Sequence, residues 1–384
     1  MAGFETIASV EQERVYAETF AKNHPHAQVF VEDIRELSRK NLPALLGVKK
    51  GELELLAGGP PCQGFSINAP IRTLDDPRNH LFKDYLTFVE KLSPRAVLIE
   101  NVTGIVSLGQ GTVVEQIYRE LESLGYSVAH RILFAGHYGV PQMRYRTIIL
   151  AIRDHQGTVA FPEPTHSAHG NANFTQAKTL CLQLDPLFTR HLKPQTTVGD
   201  AISDLPPVEA GQMNGALRYA SPAQNEYQRI MRKSSRAVMD HHGHRIAPIN
   251  KERLRHIPQG GSWRDIPHDL LPAGLKRARR SDHTKRYGRL DPKGLCSTIL
   301  TKCDPHWGSF FHPTQDRVLT VREAARIQSF PDCFHFTGSV GDQYAQVGNA
   351  VPPLMARAVG KTILGMIGCA EHLPDDNLAL CRAS

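Results

Sequence analysis

The sequence predicts an α/β fold whose main lobe is a mostly parallel β-sheet with helices on both faces. In residues 1–155, short apolar segments alternate with longer amphipathic ones, which is the pattern of strands joined by helices. Strands joined in this way run parallel, because each crossover helix returns the chain to the same end of the sheet. Residues 156–319 lack this alternation and predict a second, smaller domain.

Each element of the first lobe is predicted from its own apolar run. Residues 6–10 and 29–31 are predicted to be strands on either side of a helix over residues 12–23. The next strand, residues 53–57, ends at two glycines and two prolines that cannot continue it. The remaining predictions are a helix over residues 81–92, a strand over 96–99, a helix near 112–124, and a closing hairpin formed by 128–134 and 147–152.

Two late helices are predicted from their first residues. Thr320 and Glu323 form a capping box for a helix over residues 321–328, because each side chain can satisfy the backbone N–H of the other. Pro352 and Pro353 open an apolar helix that reaches about residue 367, since proline is favoured in the first helical turn. Just before it, the sequence Gly-Asn at 348–349 predicts a turn that faces a ligand.

The charge of the chain is unevenly distributed. Over 384 residues the net charge is +7, from 45 Lys and Arg against 38 Asp and Glu. Residues 229–289 hold 16 of the basic residues and 5 of the acidic ones, so this segment carries +11 and the remainder carries −4. The concentration of positive charge predicts a region that binds a polyanion.

Targeting signals and metal-site patterns are not found in the sequence. No apolar run reaches the roughly 18 residues of a membrane span, and no signal peptide pattern opens the chain. Seven cysteines without paired spacing favour a reducing compartment over a disulfide framework. No metal site is predicted, because the histidines and cysteines lack the tight paired spacing of structural zinc. The residues considered were Cys296, Cys303, His306 and His312, and the cluster His241, His242 and His244.

Residues 58–66, read GGPPCQGFS, carry the strongest functional signal. Cys62 stands on a turn beyond the carboxyl end of a strand, where open α/β sheets place ligands and chemistry. The prolines before it stiffen the turn, and the flanking glycines let another molecule approach closely. A lone cysteine is more often a small buried apolar residue. These surroundings instead favour a nucleophile, with Gln63 and Ser66 supplying polar groups beside it.

This loop resembles the catalytic loop of the DNA (cytosine-5) methyltransferases, and further motifs follow in that family's order. The resemblance covers almost all of residues 1–155 and 285–368. ENV or GNA alone would mean little, whereas the ordered set is highly specific. The further motifs are Glu100-Asn101-Val102, Gln142-Met143-Arg144-Tyr145-Arg146, Arg322-Glu323-Ala324-Ala325-Arg326 with Phe330-Pro331-Asp332, and Gln346-Val347-Gly348-Asn349-Ala350-Val351-Pro352-Pro353.

The resemblance implies an S-adenosylmethionine-dependent methyltransferase of Rossmann-like fold that acts on double-stranded DNA. Residues 1–155 would form the catalytic and cofactor domain and residues 156–319 the target-recognition domain. Residues 320–384 would carry the late motifs, with the helix from about residue 352 returning to the catalytic domain. The resemblance implies a cytoplasmic, nucleoid-associated protein that acts as a monomer. A restriction endonuclease of the same system is a candidate partner.

The implied reaction explains four residues. Cytosine carbon 5 is a poor nucleophile, and addition of a Cys62 thiolate to carbon 6 would activate it. Glu100, at the end of a neighbouring strand, is expected to donate a proton to ring nitrogen 3. Arg144 and Arg146 alternate along a strand, so both point to one face, where guanidinium groups suit the cytosine carbonyl oxygen and phosphates and where one or the other could lower the pKa of the thiol. The resemblance assigns the second of them, Arg146, to the base. Seen alone, Glu100 is more often an acid at the start of a helix, and a solvated edge pair is the less favoured alternative for the two arginines.

Two acids that follow the first two strands predict a nucleotide-like ligand. By resemblance, Glu11 binds the ribose of S-adenosylmethionine, while Asp33 and Ile34 border its adenine. Each acid alone is more often a solvated surface carboxylate. The remaining cofactor residues that the resemblance implies are Pro61, Leu81, Asn349 and Val351.

The sequence departs from the family at its beginning. Members normally start with a strand and a glycine-rich FxGxGG turn that hold the methionine end of the cofactor, and no FxGxGG occurs in this sequence. A start site assigned too far downstream is the favoured explanation, because the remaining motifs are intact. A natural truncation and a separate chain that supplies the missing strand are the alternatives.

The basic region is expected to hold the opened duplex, because the target carbon lies inside the base stack and the base must be swung out. A solvated charge run is the alternative for these residues. Trp263, in the loop at residues 257–264, is expected to pack in the protein. The expected DNA contacts are Gln63, Ser66, Gln142, Arg229, Arg232, Lys233, Lys276, Arg277, Arg279 and Arg280.

Two other functions stay open. An RNA-directed relative with the same active site is disfavoured by the basic region, which is longer than that branch usually carries. A catalytically impaired DNA-binding remnant is supported only by the absent glycine-rich turn. An amino-directed DNA methyltransferase is disfavoured because its loop reads PPY-like and has no thiol, whereas this loop reads PPC.

Overall fold

The apolar runs of the first lobe form strands and helices in the predicted order. The computed structural model describes residues 2–60, 81–170, 189–279, 281–282 and 285–369. The strands are β1 (Ala8–Val10), β2 (Gln28–Phe30), β3 (Leu55–Gly58), β4 (Ala96–Asn101), β5 (Tyr126–Phe134), β6 (Gln142–Met143), β7 (Tyr145–Arg153) and β8 (Cys296–Ser297). The α-helices are α1 (Arg14–Asn23), α2 (Ile34–Leu37), α3 (Leu42–Leu46), α4 (Leu81–Leu92), α5 (Thr112–Ser123), α6 (Val198–Ile202), α7 (Glu226–Arg232), α8 (Pro248–Arg255), α9 (Ala273–Lys276), α10 (Val321–Ile327), α11 (Val340–Asn349) and α12 (Pro353–Met366).

The strands pair into three separate sheets within the described residues. β1 and β2 form a two-stranded parallel sheet, and β6 and β8 form another. β3, β4, β7 and β5 lie side by side in that order. β3 is parallel to β4, whereas β7 is antiparallel to both of its neighbours. The predicted α/β class and closing hairpin are confirmed, but the central sheet is mixed, because the long hairpin contributes half of its strands.

Helices cover both faces of the four-stranded sheet. Successive residues of β7 point to opposite layers, as the twofold repeat of a strand requires. Ile149 packs with Val89 of α4 and Ile117 of α5, while Leu150 packs with Val359 of α12. The last helix therefore packs on the four-stranded sheet of the first lobe.

The second lobe has two apolar cores. The first joins α6 and α7 to the late helices α10 and α11, which share one cluster of buried side chains. The second lies between residues 246 and 318 and includes Trp263, which is 4% exposed and packs as predicted. The domain boundary predicted between residues 319 and 320 stays a prediction. Helix α10 follows that boundary and shares a core with α6 and α7, which precede it.

The late helices begin as predicted, but one turn is absent. Thr320 and Glu323 form the expected capping box of α10, and Pro353 lies in the first turn of α12. Helix α11 runs to Asn349, so Gly348 is helical rather than part of a turn. A Cβ at Gly348 would lie 2.3 Å from the carbonyl oxygen of Leu300, which explains why glycine is needed there.

Ion pairs inside the second lobe tie these elements together. Arg326, with no exposed surface, binds Asp332 at 2.6 Å and Asp204 at 3.1 Å, and both carboxylates are fully buried. Burial raises the pKa of Asp332, but the charge and hydrogen bonds of Arg326 outweigh that effect and hold the pKa below its usual value. The network joins α10 to α6 and to the segment after α10.

Three further predictions can be compared with the described residues. None of the helices there is long and apolar enough to cross a membrane. No group of three or more His, Cys, Asp or Glu in this part of the chain could hold a metal ion. Cys296, Cys303 and Cys369 are free thiols.

We expect Asp332→Asn to lower the free energy of unfolding by about 3–5 kcal/mol, because it leaves Arg326 buried without its closest carboxylate. Urea unfolding at neutral pH measures this loss. Glu226→Gln is the matched control, since its pair with Lys193 is more than half exposed and worth at most about 1 kcal/mol. The difference in the free energy of unfolding between wild type and Asp332→Asn should shrink below about pH 4. As the pH falls, Asp332 is protonated in the unfolded chain before it is protonated in the folded protein, which lowers the stability of wild type alone. An Asp332→Asn protein as stable as wild type would contradict this role.

Candidate active site

The ends of two neighbouring strands bring the start of the cysteine loop against Glu100. β3 and β4 are parallel with Gly58 opposite Ile99, so Gly59 and Glu100 follow at the same edge. A Cβ at Gly59 would lie 3.3 Å from Glu100 Oε2, so the backbone passes close to the carboxylate here. Asn101 Nδ2 donates a hydrogen bond to the Pro60 carbonyl at 3.2 Å. Residues 59–60 are thus held beside the carboxylate.

Several predicted site residues lie outside the described part of the chain. Cys62, Pro61, Gln63 and Ser66 are in the gap between residues 60 and 81, and Arg280 is in a later gap. Their predicted roles stay predictions.

Arg146 is the charged partner of Glu100. β7 lies antiparallel to β4, and this pairing brings the arginine across from the acid. Arg146 Nε lies 2.7 Å from Glu100 Oε1, and both side chains are about one-sixth exposed. No described donor is aligned for a hydrogen bond to this buried oxygen, so the contact is an ion pair. Burial lowers the pKa of Arg146 and the Glu100 charge opposes that shift. The pair presents a carboxylate oxygen and a guanidinium to one partly open site.

Arg144 has a different setting from the one predicted. Its side chain has no exposed surface, and its Nη atoms donate to the carbonyls of Ile299, Gly348 and Ala350 at 3.2, 2.8 and 2.9 Å. Burial lowers the pKa of Arg144 well below its ordinary value, and the nearby Arg146 adds to the shift. Its donors bind backbone of the second lobe and of the late motif. The prediction that Arg144 faces the substrate is therefore wrong, because its donors hold the backbone segments around it, and the predicted contact of Arg146 with the base stays a prediction.

Gln142, like Arg144, lies in the interior of the protein and not on a surface that DNA could contact. It is fully buried, and its Oε1 accepts from the Ile299 N–H at 3.0 Å. Its Nε2 donates to Gln328 Oε1, and Gln328 in turn donates to the carbonyls of Val347 and Ala350. The predicted DNA contact of Gln142 is not compatible with this burial. Its amide instead fastens β6 to the helix α10 region.

The predicted cofactor acids both stand at carboxyl ends of the β1–β2 sheet. Glu11 directly follows β1, and burial raises the pKa of its carboxyl. Asp33 caps α2 and binds Arg35 at 2.5 Å, and the hydrogen bonds from Arg35 lower its pKa. Ile34 is partly buried in the adjoining core. Glu11 keeps an acceptor oxygen for a ligand, whereas Asp33 would have to share its oxygens with Arg35.

The other cofactor candidates lie at helix ends. Asn349 is exposed at the last position of α11, and Val351 is partly buried just before α12. Leu81 begins α4. Because Arg144 and Gln328 bind the carbonyl of Ala350, the backbone between Asn349 and Val351 is fixed from inside.

The predicted DNA-binding cations fall into two groups. Lys276, Arg277 and Arg279 are exposed at and after α9, and within the described residues they form no ion pair. Arg232 is largely buried, binds Asp204 at 3.2 Å and stacks 3.7 Å over the ring of Tyr219. Its predicted phosphate contact is therefore replaced by a role inside the second lobe. Arg229 is exposed and Lys233 partly so, and their predicted contacts stay predictions.

Comparison with known proteins identifies the family. The model of the family described as C-5 cytosine-specific DNA methylase matches residues 1–365. The chain belongs to this family. The type II methyltransferase M.AgeI of Thalassovita gelatinovora is 33% identical, over 94% of each chain. The type II methyltransferase M1.HphI of Haemophilus parahaemolyticus is 34% identical, over 95% of this chain and 82% of its own. Mouse DNA (cytosine-5)-methyltransferase 1 is 32% identical over 94% of this chain and 26% of its own.

Solved structures support the fold of this C-5 cytosine methylase. A putative DNA modification methyltransferase encoded within an E. coli prophage superposes with a TM-score of 0.69, at 21% identity, over 96% of this chain and 94% of its own. The Dnmt2 methyltransferase of S. pombe superposes with a TM-score of 0.51, at 17% identity, over 94% and 90% of the two chains. These similarities support the fold and nothing beyond it.

Two residues that position the methylase site were not singled out from the sequence. Asn101 holds the Pro60 carbonyl, and Gln328 links Gln142 to the backbone beside Asn349. The signal for Asn101 was its place beside Glu100 at a strand end. Gln328 had no comparable signal, because its partners lie 186 and 19 residues away in the chain.

We expect Arg144→Lys and Arg146→Lys to fail in different ways. Arg144→Lys should lower the free energy of unfolding by about 2–4 kcal/mol, because an ammonium cannot replace all the charged hydrogen bonds to three carbonyls. Arg146→Lys should keep most of the stability and lower turnover, because it keeps the charge and loses the planar donor at the site. Urea unfolding and methyl transfer, measured on both variants, test this. A stable Arg144→Lys protein with low turnover would place Arg144 at the substrate instead.

Proposed function

We propose that the chain transfers a methyl group from S-adenosylmethionine to carbon 5 of a cytosine in duplex DNA, through a covalent bond between Cys62 and carbon 6. The observation that carries this proposal is the meeting of residues 59–60, Glu100 and Arg146 at one sheet edge. Two residues of chain span at most about 7 Å. The proposal therefore requires Cys62, two residues after Pro60, to approach the acid and the guanidinium.

The proposed reaction begins with the thiolate. The sulfur lone pair forms a bond to carbon 6, and the electrons of the carbon 5–carbon 6 double bond move into the ring toward nitrogen 3. The Glu100 carboxyl group, which takes up a proton from solvent as the base binds, donates that proton to nitrogen 3 as negative charge develops there. Carbon 5 then takes the methyl group from the sulfonium donor, whose carbon–sulfur bond breaks to leave a thioether. Loss of the proton on carbon 5 to a base, breakage of the carbon 6–sulfur bond and return of the nitrogen 3 proton to Glu100 restore the aromatic ring, the thiolate and the acid.

Arg146 supports this chemistry in two ways. Its guanidinium stays charged at working pH and can donate to the carbonyl oxygen of the cytosine while its Nε remains beside Glu100. Its positive charge favours the thiolate form of a nearby cysteine and the negative charge that develops on the ring. Because a stacked base cannot present its face to a thiol, the cytosine is swung out of the duplex.

The residues at the β1 and α11 ends fit the cofactor. Glu11, whose carboxyl is partly buried at a strand end, suits the ribose hydroxyls, and the exposed amide of Asn349 suits the polar methionine end. When bound, S-adenosylmethionine supplies an electrophilic methyl group. Asp33 joins this set if its oxygens are shared between Arg35 and the adenine amine.

We also propose that the enzyme works in the cytoplasm on chromosomal DNA, as the modification partner of a restriction endonuclease. The support is the likeness to two bacterial type II methyltransferases over most of their length. Bisulfite sequencing of DNA from an expression host would identify the methylated sequence, and that DNA should then resist an endonuclease of the same specificity.

We expect the wild-type protein to form a covalent adduct with a duplex that carries 5-fluorocytosine at the methylated position, when cofactor is present. The adduct accumulates because fluorine cannot leave as a proton does. Cys62→Ser should form none while it still binds the duplex noncovalently. Glu100→Gln should slow adduct formation by about 10²- to 10⁴-fold, because it removes the acid and keeps the shape. Denaturing gel electrophoresis measures the adduct.

Methylation by Cys62→Ser would refute the nucleophile assignment. An adduct on the matching RNA, with none on DNA, would favour the RNA-directed alternative. Binding to DNA without any wild-type adduct or methylation would favour a catalytically impaired DNA-binding protein.

We expect the triple variant Lys276→Gln, Arg277→Gln, Arg279→Gln to bind duplex DNA with a shallower salt dependence. Each lost phosphate contact should reduce the slope of log K against log salt by about 0.9. Fluorescence anisotropy over a range of salt concentrations measures the slope. A control triple variant at three exposed cations of the first lobe, Lys49, Lys50 and Arg119, should keep the wild-type slope. Equal slopes for wild type and the first triple variant would remove these residues from the DNA surface.

A further inference from the structure

Tyr85 of α4 is a buried tyrosine whose hydroxyl group reaches two strands at once. Its Oη donates to the Leu56 carbonyl of β3 at 2.9 Å and to the Leu98 carbonyl of β4 at 3.0 Å. The side chain is 4% exposed and packs in the apolar cluster that also holds Ile149 of β7. A hydroxyl group carries one proton, so the two carbonyls share this donor. Neither the proposed reaction nor the proposed cofactor set uses this residue.

The two carbonyls lie close to the sheet edge that carries the candidate active site. Leu98 precedes Glu100 by two residues, and Leu56 precedes Gly58, the last residue of β3, by two residues. A parallel strand rises about 3.3 Å per residue, so the hydroxyl group acts about 7 Å from both of these positions along the strands. The donor therefore binds the two strands just before the cysteine loop and the acid begin.

The end of β3 depends on this contact more than the end of β4 does. Within the described residues β3 pairs only with β4, whereas β4 also pairs with β7 as far as Asn101. The β3–β4 pairing ends with Gly58 opposite Ile99. The ends of a strand pairing open more readily than its middle. A donor that binds carbonyls on both strands opposes this opening at the place where the chain leaves β3 toward Cys62.

Gly58 allows the tyrosine ring to reach this position. A Cβ at Gly58 would lie 2.4 Å from Tyr85 Cε2 and 2.9 Å from Tyr85 Cδ2, which is closer than a Cβ comes to any other atom in a folded protein. The ring has no free space to move into, because protein interiors are close-packed. Packing against Tyr85 therefore explains the first glycine of the GGPPC sequence.

The Tyr85 hydroxyl group stays protonated, so it remains a donor. Burial raises the pKa of Tyr85 above its ordinary value, and the nearby Tyr126 adds to the shift. Phenylalanine has the same ring and no donor. The variant Tyr85→Phe therefore removes the shared hydrogen bond and leaves the packing against Gly58 in place.

We propose that Tyr85 is a positioning residue for methyl transfer, whose hydroxyl group fixes the end of β3 against β4 and so sets the distance between Cys62 and the Glu100 carboxyl group. This inference rests on the proposed function. Tyr85 acts through the backbone of the two strands and not by contact with the base. A misplacement of about 1 Å between reacting groups can lower a rate about 10²-fold, so a small movement of one strand end is enough to slow the reaction.

Tyr126 supplies a matched control. It is also 4% exposed, packs in the same apolar cluster, and donates from its hydroxyl group to the Pro94 carbonyl at 2.7 Å. Pro94 precedes β4, at the end of that strand opposite to Glu100. Tyr126→Phe therefore removes a buried hydrogen bond of the same kind away from the active edge. The two variants should lower the melting temperature by similar amounts.

Single-turnover trapping separates positioning from folding. The full chain, in excess and with saturating cofactor, is mixed with the 5-fluorocytosine duplex, and the covalent adduct is followed over time on denaturing gels. Tyr85→Phe should lower the rate constant of adduct formation about 10- to 100-fold. The final amount of adduct and the Kd for the duplex should match wild type, because the folded fraction and the DNA surface are unchanged. Tyr126→Phe should keep the wild-type rate constant.

Gly58→Ala supplies a second variant, because its methyl group would push the Tyr85 ring away from β3. It should slow adduct formation in the wild-type background and add little further slowing to Tyr85→Phe, in which the hydroxyl contact is already lost. Hydrogen exchange measures the contact without catalysis. The amides of β3 should exchange faster in Tyr85→Phe than in Tyr126→Phe.

The outcomes separate this inference from the proposed function. If wild type traps DNA and Tyr85→Phe traps it at the same rate, the positioning inference fails alone. Equal losses of rate in Tyr85→Phe and Tyr126→Phe would also overturn it, since a loss of stability alone would then explain both. A Tyr85→Phe protein that loses final adduct but keeps the rate constant would show a role in folding only. If wild type traps no DNA, the proposed function fails and this inference fails with it.

Discussion

One buried guanidinium holds two distant parts of the chain against the segment that carries it. Arg144 donates to the carbonyls of Ile299, Gly348 and Ala350. Arginine seldom loses its proton, so its charge must be met by neighbouring groups when it is buried. Here backbone dipoles meet it, and those dipoles belong to the second lobe and to the late motif. The strand that carries Arg146 is therefore fixed relative to both.

The same principle separates interior cations from exposed ones. Arg326 and Arg317 are almost fully buried and are matched by the carboxylates of Asp332 and Glu323. These pairs organise the second lobe, and they contribute nothing to the field that DNA would meet. The surface charge available to a polyanion comes instead from side chains such as Lys276, Arg277 and Arg286. Net charge alone does not distinguish the two groups, because it counts buried and exposed cations alike.

The sequence predicted the elements well, because apolar runs report local structure. Helix α4 begins and ends at the predicted residues, and the capping box of α10 forms as expected. The direction of pairing was harder to predict, since β7 turns back against β4 through contacts that no local pattern records. Family resemblance supplied the roles of Glu100 and Arg146, and the structure brings these two together.

Other parts of the site could not be read from residue type and spacing. Alternation along a strand predicted that Arg144 and Arg146 point to one face. Arg144 instead points into the interior, where it donates to the carbonyls of Ile299 and Ala350. Gln142 was expected to contact DNA. Its side chain is instead buried and hydrogen-bonded to Gln328, which lies 186 residues later in the chain. Whether a polar side chain is buried depends on partners that are remote in the chain. Such burial becomes visible only when the fold brings them together.

The two-stranded β1–β2 sheet is held to the protein by side chains rather than by a backbone ladder. In the described residues its strands bond only to each other, while Asn23 and Thr19 of α1 exchange hydrogen bonds with His335 and Thr337. Val10 and Phe30 also pack on the apolar cluster that contains Phe88 and Leu92 of α4, so the two-stranded sheet shares a core with a helix that covers the four-stranded sheet. The amide protons of β1 and β2 should exchange with solvent sooner than those of β4 and β7, and a nucleoside docked on Glu11 would slow that exchange.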